Sequence, residues 1–395
     1  MRKYCMACLL WIALIAGPLS ADFELAPPTP EGQPFSNEIA FEFLGNYATL
    51  AWYLYSDSVK ETVRFNMAVY QFRKNPGEDT FEEMKRSWIE ARKIYGRSEA
   101  YRFSDGPIDQ MELEILINAW PVDESYIDYT VDDPSSGIIN NPTDYPEITS
   151  RLLRQLNQKD GETNISTGWH AVEFLLWGQD LYADGPGQRK WTDFTEAPNA
   201  DRRMKYLVVA TELLRSHLVA VADAWSLSNY DNHTGDFFMK RSTTLMKSVM
   251  RGVSSMAGRE LAAERMSVAL RSKSQEDEHS CFSDTTHFDL VANMEGLEVV
   301  LFGTYKARYG PLVEGKGFID VIADADQKAA QLVRKKFLTA KEKVFAVDAP
   351  FDQAIIAEEG SEKLTQVKDA VGALWSLVYA LADAEELLEL DVKRG

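Results

Sequence analysis

The sequence predicts an all-α protein built from two related helical-bundle domains, and three observations carry that prediction. Apolar residues recur at helical steps over long stretches, no series of alternating apolar and polar residues marks a sheet, and one short helical segment occurs twice. His170 to Gly178 reads HAVEFLLWG and returns as EGLEVVLFG at Glu295 to Gly303. Each copy opens with a polar pair, H-x-x-E in one and E-x-x-E in the other, and residues at that spacing share a helix face. A doubled helical unit that keeps its polar pair implies an internal duplication and a composite site where the two domains meet.

The elements follow in order. Met1-Arg2-Lys3, the apolar run Tyr4 to Ala16 and the small residues up to Ala21 read as a secretory signal peptide over residues 1–21. Residues 22–35, with Pro27, Pro28, Pro30 and Pro34, read as an extended leader. From Ser36 an apolar stripe (Ile39, Phe43, Tyr47, Leu50, Leu54, Val59, Val63, Met67, Tyr70) predicts a long helix that stops before Asn75-Pro76-Gly77. Thr80-x-x-Glu83 reads as a capping box opening a second helix with Trp88, Arg92, Tyr95 and Glu99. Four prolines over 121–149 predict a long surface loop, and the helix with His170 follows it. The expected domains are residues 36–184 and 201–395, joined by a linker at 185–200; helical patterns beyond it cover about 201–228, 235–257, 258–271, 285–303, 318–346 and 361–389.

Composition narrows the function. The formal charge is −19, with 61 acidic against 42 basic residues, which argues against a nucleic-acid partner and favours cations. No stretch after the signal peptide is long and apolar enough for a transmembrane helix. Removal of the signal peptide takes Cys5 and Cys8 with it, leaving Cys281 and no intramolecular disulfide. The expected location is periplasmic or at the cell surface.

His170 and Glu173, with Glu295 and Glu298 from the second copy, form the candidate metal set, since imidazole nitrogen and carboxylate oxygen together suit iron, zinc and similar divalent ions. Arg92 and Glu99 share a helical face and are expected to orient those ligands. Ser283, Asp284 and His287, in the run EHSCFSDTTH just before the second copy, are the further ligand-binding candidates, with Asp284 or Thr285 as the helix N-cap. The zincin motif H-E-x-x-H and its inverted form are both missing, because Phe174 stands where a second histidine would be needed. A metallopeptidase would therefore rest on His170 and Glu173 alone, with Glu173 as its catalytic residue.

Gly168-Trp169-His170-Ala171-Val172-Glu173 fits the G-x-H-x-x-E motif of the imelysin-like family, and Trp88 to Arg102, Ser104 to Asp109 and Ser280 to His287 resemble its other segments. The resemblance spans nearly the whole chain after the signal peptide. It implies an exported bacterial protein of two helical bundles with His170 and Glu173 in a pocket between them. Members include proteins named as insulin-cleaving metallopeptidases and iron-regulated proteins of iron uptake. The functional expectation is a binding protein in iron acquisition, holding a divalent metal ion or a metal-bearing ligand; the rivals are a metallopeptidase and a scaffold that recruits an envelope protein through the 121–149 loop.

Overall fold

Ser36 opens the first long helix as its sequence predicts. Its hydroxyl accepts the N–H of Ile39 at 3.3 Å, and α1 (Asn37–Lys74) then runs for 38 residues. The computed structural model describes residues 33–228 and 231–390, so the expected signal peptide and most of the leader lie outside the described residues. Ile39, Phe43, Tyr47, Leu50 and Leu54 are buried, but Val63, Met67 and Tyr70 are exposed, and Phe65, Val69 and Phe72 turn inward instead. α2 (Glu78–Ser98) packs antiparallel along α1, and its first turn differs from expectation. Gly77 is the N-cap, and the Thr80 hydroxyl donates backward to the carbonyls of Asn75 and Gly77 at 2.9 and 3.0 Å rather than capping the helix.

Segment 121–149 is not a bare surface loop. It contains the short helices Glu124–Ile127 and Gly137–Asn140, and Arg202 donates to the carbonyls of Ile138, Ile139 and Tyr145 at 2.7–3.0 Å. Asp128, fully buried, accepts from Arg189 at 2.7 Å and from Arg203 at 2.6 and 2.8 Å. A carboxylate neutralised by two guanidinium groups can lie inside the protein, whereas an unpaired one could not.

The other α-helices of eight residues or more among the described residues are α3 (Gly168–Trp177), α4 (Ala200–Ala224), α5 (Ser242–Ser255), α6 (Thr286–Phe302), α7 (Phe318–Ala325), α8 (Gln327–Phe345) and α9 (Glu362–Leu387). α4, which follows the expected linker, packs along α1 and α3. α5 runs directly into a π-helix, Met256–Ser267, where an ordinary helix was expected. The predicted single helix over 318–346 is broken at Asp326, whose side chain accepts the N–H groups of Lys328 and Ala329 at 2.7 and 3.0 Å and caps α8. One antiparallel hairpin, β1 (Thr304–Lys306) with β2 (Leu312–Glu314), departs from the all-helical expectation. It docks on α1 through Asp57, which accepts from the Tyr305 hydroxyl at 3.0 Å and the Arg308 N–H at 2.5 Å. α3 and α6 each end on a glycine with φ of +73°, Gly178 and Gly303, but ψ differs, −165° against 22°, so the chain leaves the two helices in different directions.

Candidate functional site

The site begins with how α3 is seated. Gly168 sits at φ +91°, and a Cβ there would lie 2.6 Å from the Ile117 carbonyl oxygen, so only glycine lets the helix start this close to the neighbouring backbone. Trp169 and Trp177 then fix its rotation. Trp88 of α2 meets both edge-on, with centroids at 6.0 and 5.2 Å, and Tyr95 lies 5.7 Å from Trp169. Buried aromatics of this size stabilise by on the order of 4 kcal/mol each. Phe174 against Phe282, at 5.3 Å, brings the 278–285 loop onto the same helix.

With α3 so held, His170 and Glu173 point into the interior, 1% and 0% exposed. His170 Nδ1 lies 2.8 Å from Glu173 Oε2, and Glu173 Oε1 accepts from the Ser283 N–H at 3.0 Å and the Ser283 hydroxyl at 2.6 Å. His170 Nε2 is buried with no hydrogen-bond partner. Burial keeps the imidazole neutral, holding it well below its usual value, with His279 and Arg92 adding to the effect. Burial also pushes the Glu173 carboxyl up to about 8, against the opposing Ser283 hydrogen bond.

A second histidine is held the same way. His279 Nδ1 lies 2.8 Å from Asp289 Oδ2 of α6, and Asp289 also accepts from the Ser280 hydroxyl at 2.6 Å and from Arg92 Nε at 3.0 Å. The two imidazoles meet edge to face with centroids 4.6 Å apart. Burial, then Arg265 and Arg92, hold His279 well below its usual value. Asp289, already accepting from Ser280 and Arg92, is placed to accept the Nδ1–H of His279, which leaves the Nε2 lone pair as the ring's donor atom, the arrangement by which carboxylates orient metal-binding histidines.

Beneath the histidines lies a buried layer of charge. Glu99 takes Arg265 Nη2 at 2.5 Å, Asn118 Nδ2 at 3.0 Å and Asn293 Nδ2 at 3.2 Å, with Arg102 at 3.4 Å. Arg92 also donates to Asn118, and Arg265 to Asn293. Burial alone would raise the Glu99 carboxyl, but Arg265, Arg92 and Arg102 outweigh it and bring it down to about 2. The π-helix explains part of this: its wider turn sets residues five apart side by side, and Glu260 lies 3.6 Å from Arg265.

Several expected ligands lie elsewhere. Glu295 pairs with Arg97 at 2.6 Å and Glu298 with Lys341 at 2.6 Å, all four partly exposed, so neither joins His170 and Glu173. Helical rotation is the reason: at 3.6 residues per turn both lie roughly 120–180° around α6 from Asp289, whose face is the one turned inward. The capping expectation holds in position only: Thr285 is the N-cap of α6 but makes no side-chain cap bond, and Asp284 adopts φ +54° just before it. Asp284 is buried beside other carboxylates, and His287 is half-buried with its ring 4.0 Å from Phe288. Neither contacts the His170–Glu173 pair. Ser283 does, and Arg92 and Glu99 occupy the layer under the histidines. Sequence reasoning did not assign His279, Asp289, Asn293, Asn118 or Arg265. Asp289 and Asn293, four apart in an otherwise apolar stretch of α6, were the available signal.

A cavity of about 250 Å³ reaches this layer from outside, lined by Arg102, Glu114, Asn118, Trp120, Arg265 and His279 among others. Among the described residues no group of three or more His, Cys, Asp and Glu side chains is arranged to hold a metal ion. His279 lines this cavity and His170 lies behind it in the interior, so an ion held by the two imidazoles would be open to further ligands on the His279 side only, unlike a closed structural ion.

The sequence profile of the family described as Imelysin, peptidase M75, matches residues 52–378. Among solved structures, a protein described as an iron-regulated protein A precursor from Parabacteroides distasonis superposes with a TM-score of 0.69 at 14% identity, covering 92% of this chain and 98% of its own. An imelysin-like protein from Psychrobacter arcticum gives 0.60 at 12% identity, covering 92% and 99%. No curated protein is significantly similar in sequence. No helix among the described residues is long and apolar enough to cross a membrane.

Proposed function

The chain belongs to the imelysin family, and on that footing we propose that it binds a metal ion, or a small molecule carrying one, through His170 and His279. The observation that carries the reading is the pair of imidazoles each held at Nδ1 by an acidic side chain, Glu173 on His170 and Asp289 on His279, with rings 4.6 Å apart and His170 Nε2 buried without a partner. An unsatisfied buried polar atom costs about 1–3 kcal/mol, and in the tautomer with Nδ1 protonated a bound ion at Nε2 would remove that cost. Glu173 and Asp289 would fix the tautomers, Arg92 would hold Asp289, and Ser283 would hold Glu173. Two imidazoles suit iron or zinc. A role in iron acquisition is supported by the name of the Parabacteroides structure, and export through the N-terminal 21 residues by the word precursor in that name. The two-bundle organisation, with an origin in duplication, belongs to the same proposal and is supported by the sequence echo of His170 to Gly178 at Glu295 to Gly303, both helical.

Peptide hydrolysis is the weaker reading. A hydrolytic zinc site needs a base free to face an activated water, and both oxygens of Glu173 are already engaged, by His170 and by Ser283. Calorimetric titration of the purified protein with ferrous iron, zinc and haem tests the proposal. Wild type is expected to bind at least one of them, and His170→Ala and His279→Ala each to weaken that binding at least about tenfold. Glu295→Ala and Glu298→Ala are expected to leave it unchanged. Binding that survives both histidine substitutions would defeat the proposal.

A further inference from the structure

The 278–285 loop is docked by more than the contact of Ser283 with Glu173. Its Phe282 carbonyl accepts the Gly187 N–H at 3.0 Å, and just before it Gln275 Nε2 donates to the Asp180 carbonyl at 2.9 Å. Alongside these contacts the carboxyls of Asp284, on the loop, and Asp180, just after α3, face each other within hydrogen-bonding reach. Both are buried, 6 and 4% exposed, and Asp180 Oδ1 also accepts the Tyr182 N–H at 3.1 Å.

Two carboxyls this close and this far from water cannot both be ionised, so one keeps its proton and donates it to the other. The surroundings reinforce the choice. Asp352 of the short helix Phe351–Ile355 faces both, Glu276 faces Asp180, and Glu278 lies on the same loop, where the Thr286 hydroxyl is placed to donate to it. From α6 the His287 imidazole lies against the Asp284 backbone, and burial holds it neutral, below its usual value. Among the described residues no lysine or arginine forms an ion pair with Asp180 or Asp284, in contrast to Glu99 and Asp128, each buried against guanidinium groups. Burial, then Asp352 and Asp180, push Asp284 up to about 7, while burial pushes Asp180 up to about 6 against its bonds from Tyr182 and Asp284. The proton therefore sits on Asp284, with Asp180 as acceptor. It stays there at pH values where an aspartate in water, at 3.8, has lost it.

We propose that the Asp180–Asp284 pair is a pH-sensitive latch: a single shared proton holds the 278–285 loop on the chain after α3, and loss of that proton on alkalinisation frees the loop. The direction follows from linkage. A carboxyl raised by docking contributes its full stabilisation below the free value and loses it as the pH rises through the docked one, so the loop is tightest in acid and loosens between about pH 4 and 7. The loop so governed carries His279 and Ser283. The latch is a property of the unliganded chain, and it holds or fails whatever the histidines bind.

Hydrogen–deuterium exchange of the full chain between about pH 5 and 8, with each rate divided by the chemical rate at the same pH, measures opening of the loop. In wild type, opening of segment 278–285 is expected to rise by up to about tenfold per pH unit until about pH 7 and then to level off, because opening releases one proton. Asp284→Asn keeps the hydrogen bond, its amide donating to Asp180, and removes the proton. Opening of wild type relative to Asp284→Asn is therefore expected to grow by about tenfold per unit from about pH 5 to 7. Glu278 and Glu173, which also bear on the loop, are common to both chains. Asp284→Ala keeps neither proton nor donor and is expected to open the loop more than Asp284→Asn at every pH. Loop protection that does not change with pH in wild type overturns the proposal, and that measurement needs no variant to fold. A constant ratio of wild type to Asp284→Asn overturns it equally, as does equal protection in Asp284→Asn and Asp284→Ala.

Discussion

At the scale of single residues, the balance between burial and pairing decides what each group can do. Glu99 is buried among three arginines and is held down to about 2, below its ordinary value of 4.5. The sign follows: a carboxylate depressed on folding adds stability above its unfolded value and loses it as the pH falls through the folded one. Glu99 therefore contributes roughly 3 kcal/mol near neutrality, withdrawn between about pH 4.5 and 2. Glu99→Gln is expected to flatten the acid limb of the stability curve in that window, as measured by urea unfolding at stepped pH. At neutral pH it is expected to cost about 3–5 kcal/mol, because Arg265 is left buried with its charge uncompensated. An unchanged acid limb would contradict this account of Glu99.

At the scale of elements, close backbone approach fixes which face of α6 turns inward. A Cβ on Gly296 would lie 2.2 Å from the Arg97 carbonyl oxygen, and one on Gly96 would lie 2.8 Å from Ala292 Cβ, so α2 and α6 cross at their glycines. That crossing lets Asn293 Nδ2 reach the Gly96 carbonyl at 3.0 Å and leaves Glu295 beside Arg97. Gly296→Ala is expected to destabilise by about 2–4 kcal/mol, since α6 must move off the backbone of α2. Gly45→Ala, in the helix interior of α1 with nothing within 4 Å of the new methyl, is expected to stabilise by roughly 0.5–1 kcal/mol. Denaturant midpoints for the two variants check the pair, and a common direction of change would contradict the packing described.

Helix registers of this kind also mark how far the sequence could be read. The long helix after Ser36, the start of α4 and the extent of α9 are legible because local periodicity and caps determine them, although the buried face of α1 beyond Val59 is not the one its stripe marked. The π-helical stretch 256–267 and the break at Asp326 are not, because an α-helical stripe with a polar residue in it looks the same whether or not the ladder changes. For the site, His170 and Glu173 were found from spacing, and their mutual bond is local. The role of His279 depends on Asp289, and that of Asp289 on Arg92 from α2, contacts that only the helix crossing makes. The E-x-x-E echo pointed to Glu295 and Glu298 because sequence similarity preserves spacing but carries no information about which face is buried.

Across the whole molecule, α4 ties the segments before and after residues 185–200 together. It lies beyond the 185–200 segment yet packs along α1, and its Arg203 closes on Asp128 of the 121–149 segment together with Arg189. A chain truncated after Asn199 would uncover that face of α1 and leave Asp128 with one of its two cations. Such a truncation is expected not to melt cooperatively, as followed by circular dichroism, whereas the intact chain is expected to lose its helices in a single step. The same packing holds α3, the 278–285 loop and α6 in register, so the two histidines come from segments far apart in sequence yet their rings meet in the interior, 4.6 Å apart.

The claim on which the rest depends is that His170 and His279 act as one pair of nitrogen donors. X-ray absorption spectroscopy of the zinc-loaded protein addresses it directly. Wild type is expected to show two imidazole nitrogens on the metal, with His279→Ala reducing the count to one. Zinc that keeps the same nitrogen count in His279→Ala, or that fails to bind the wild-type protein while iron and haem also fail, would contradict the account.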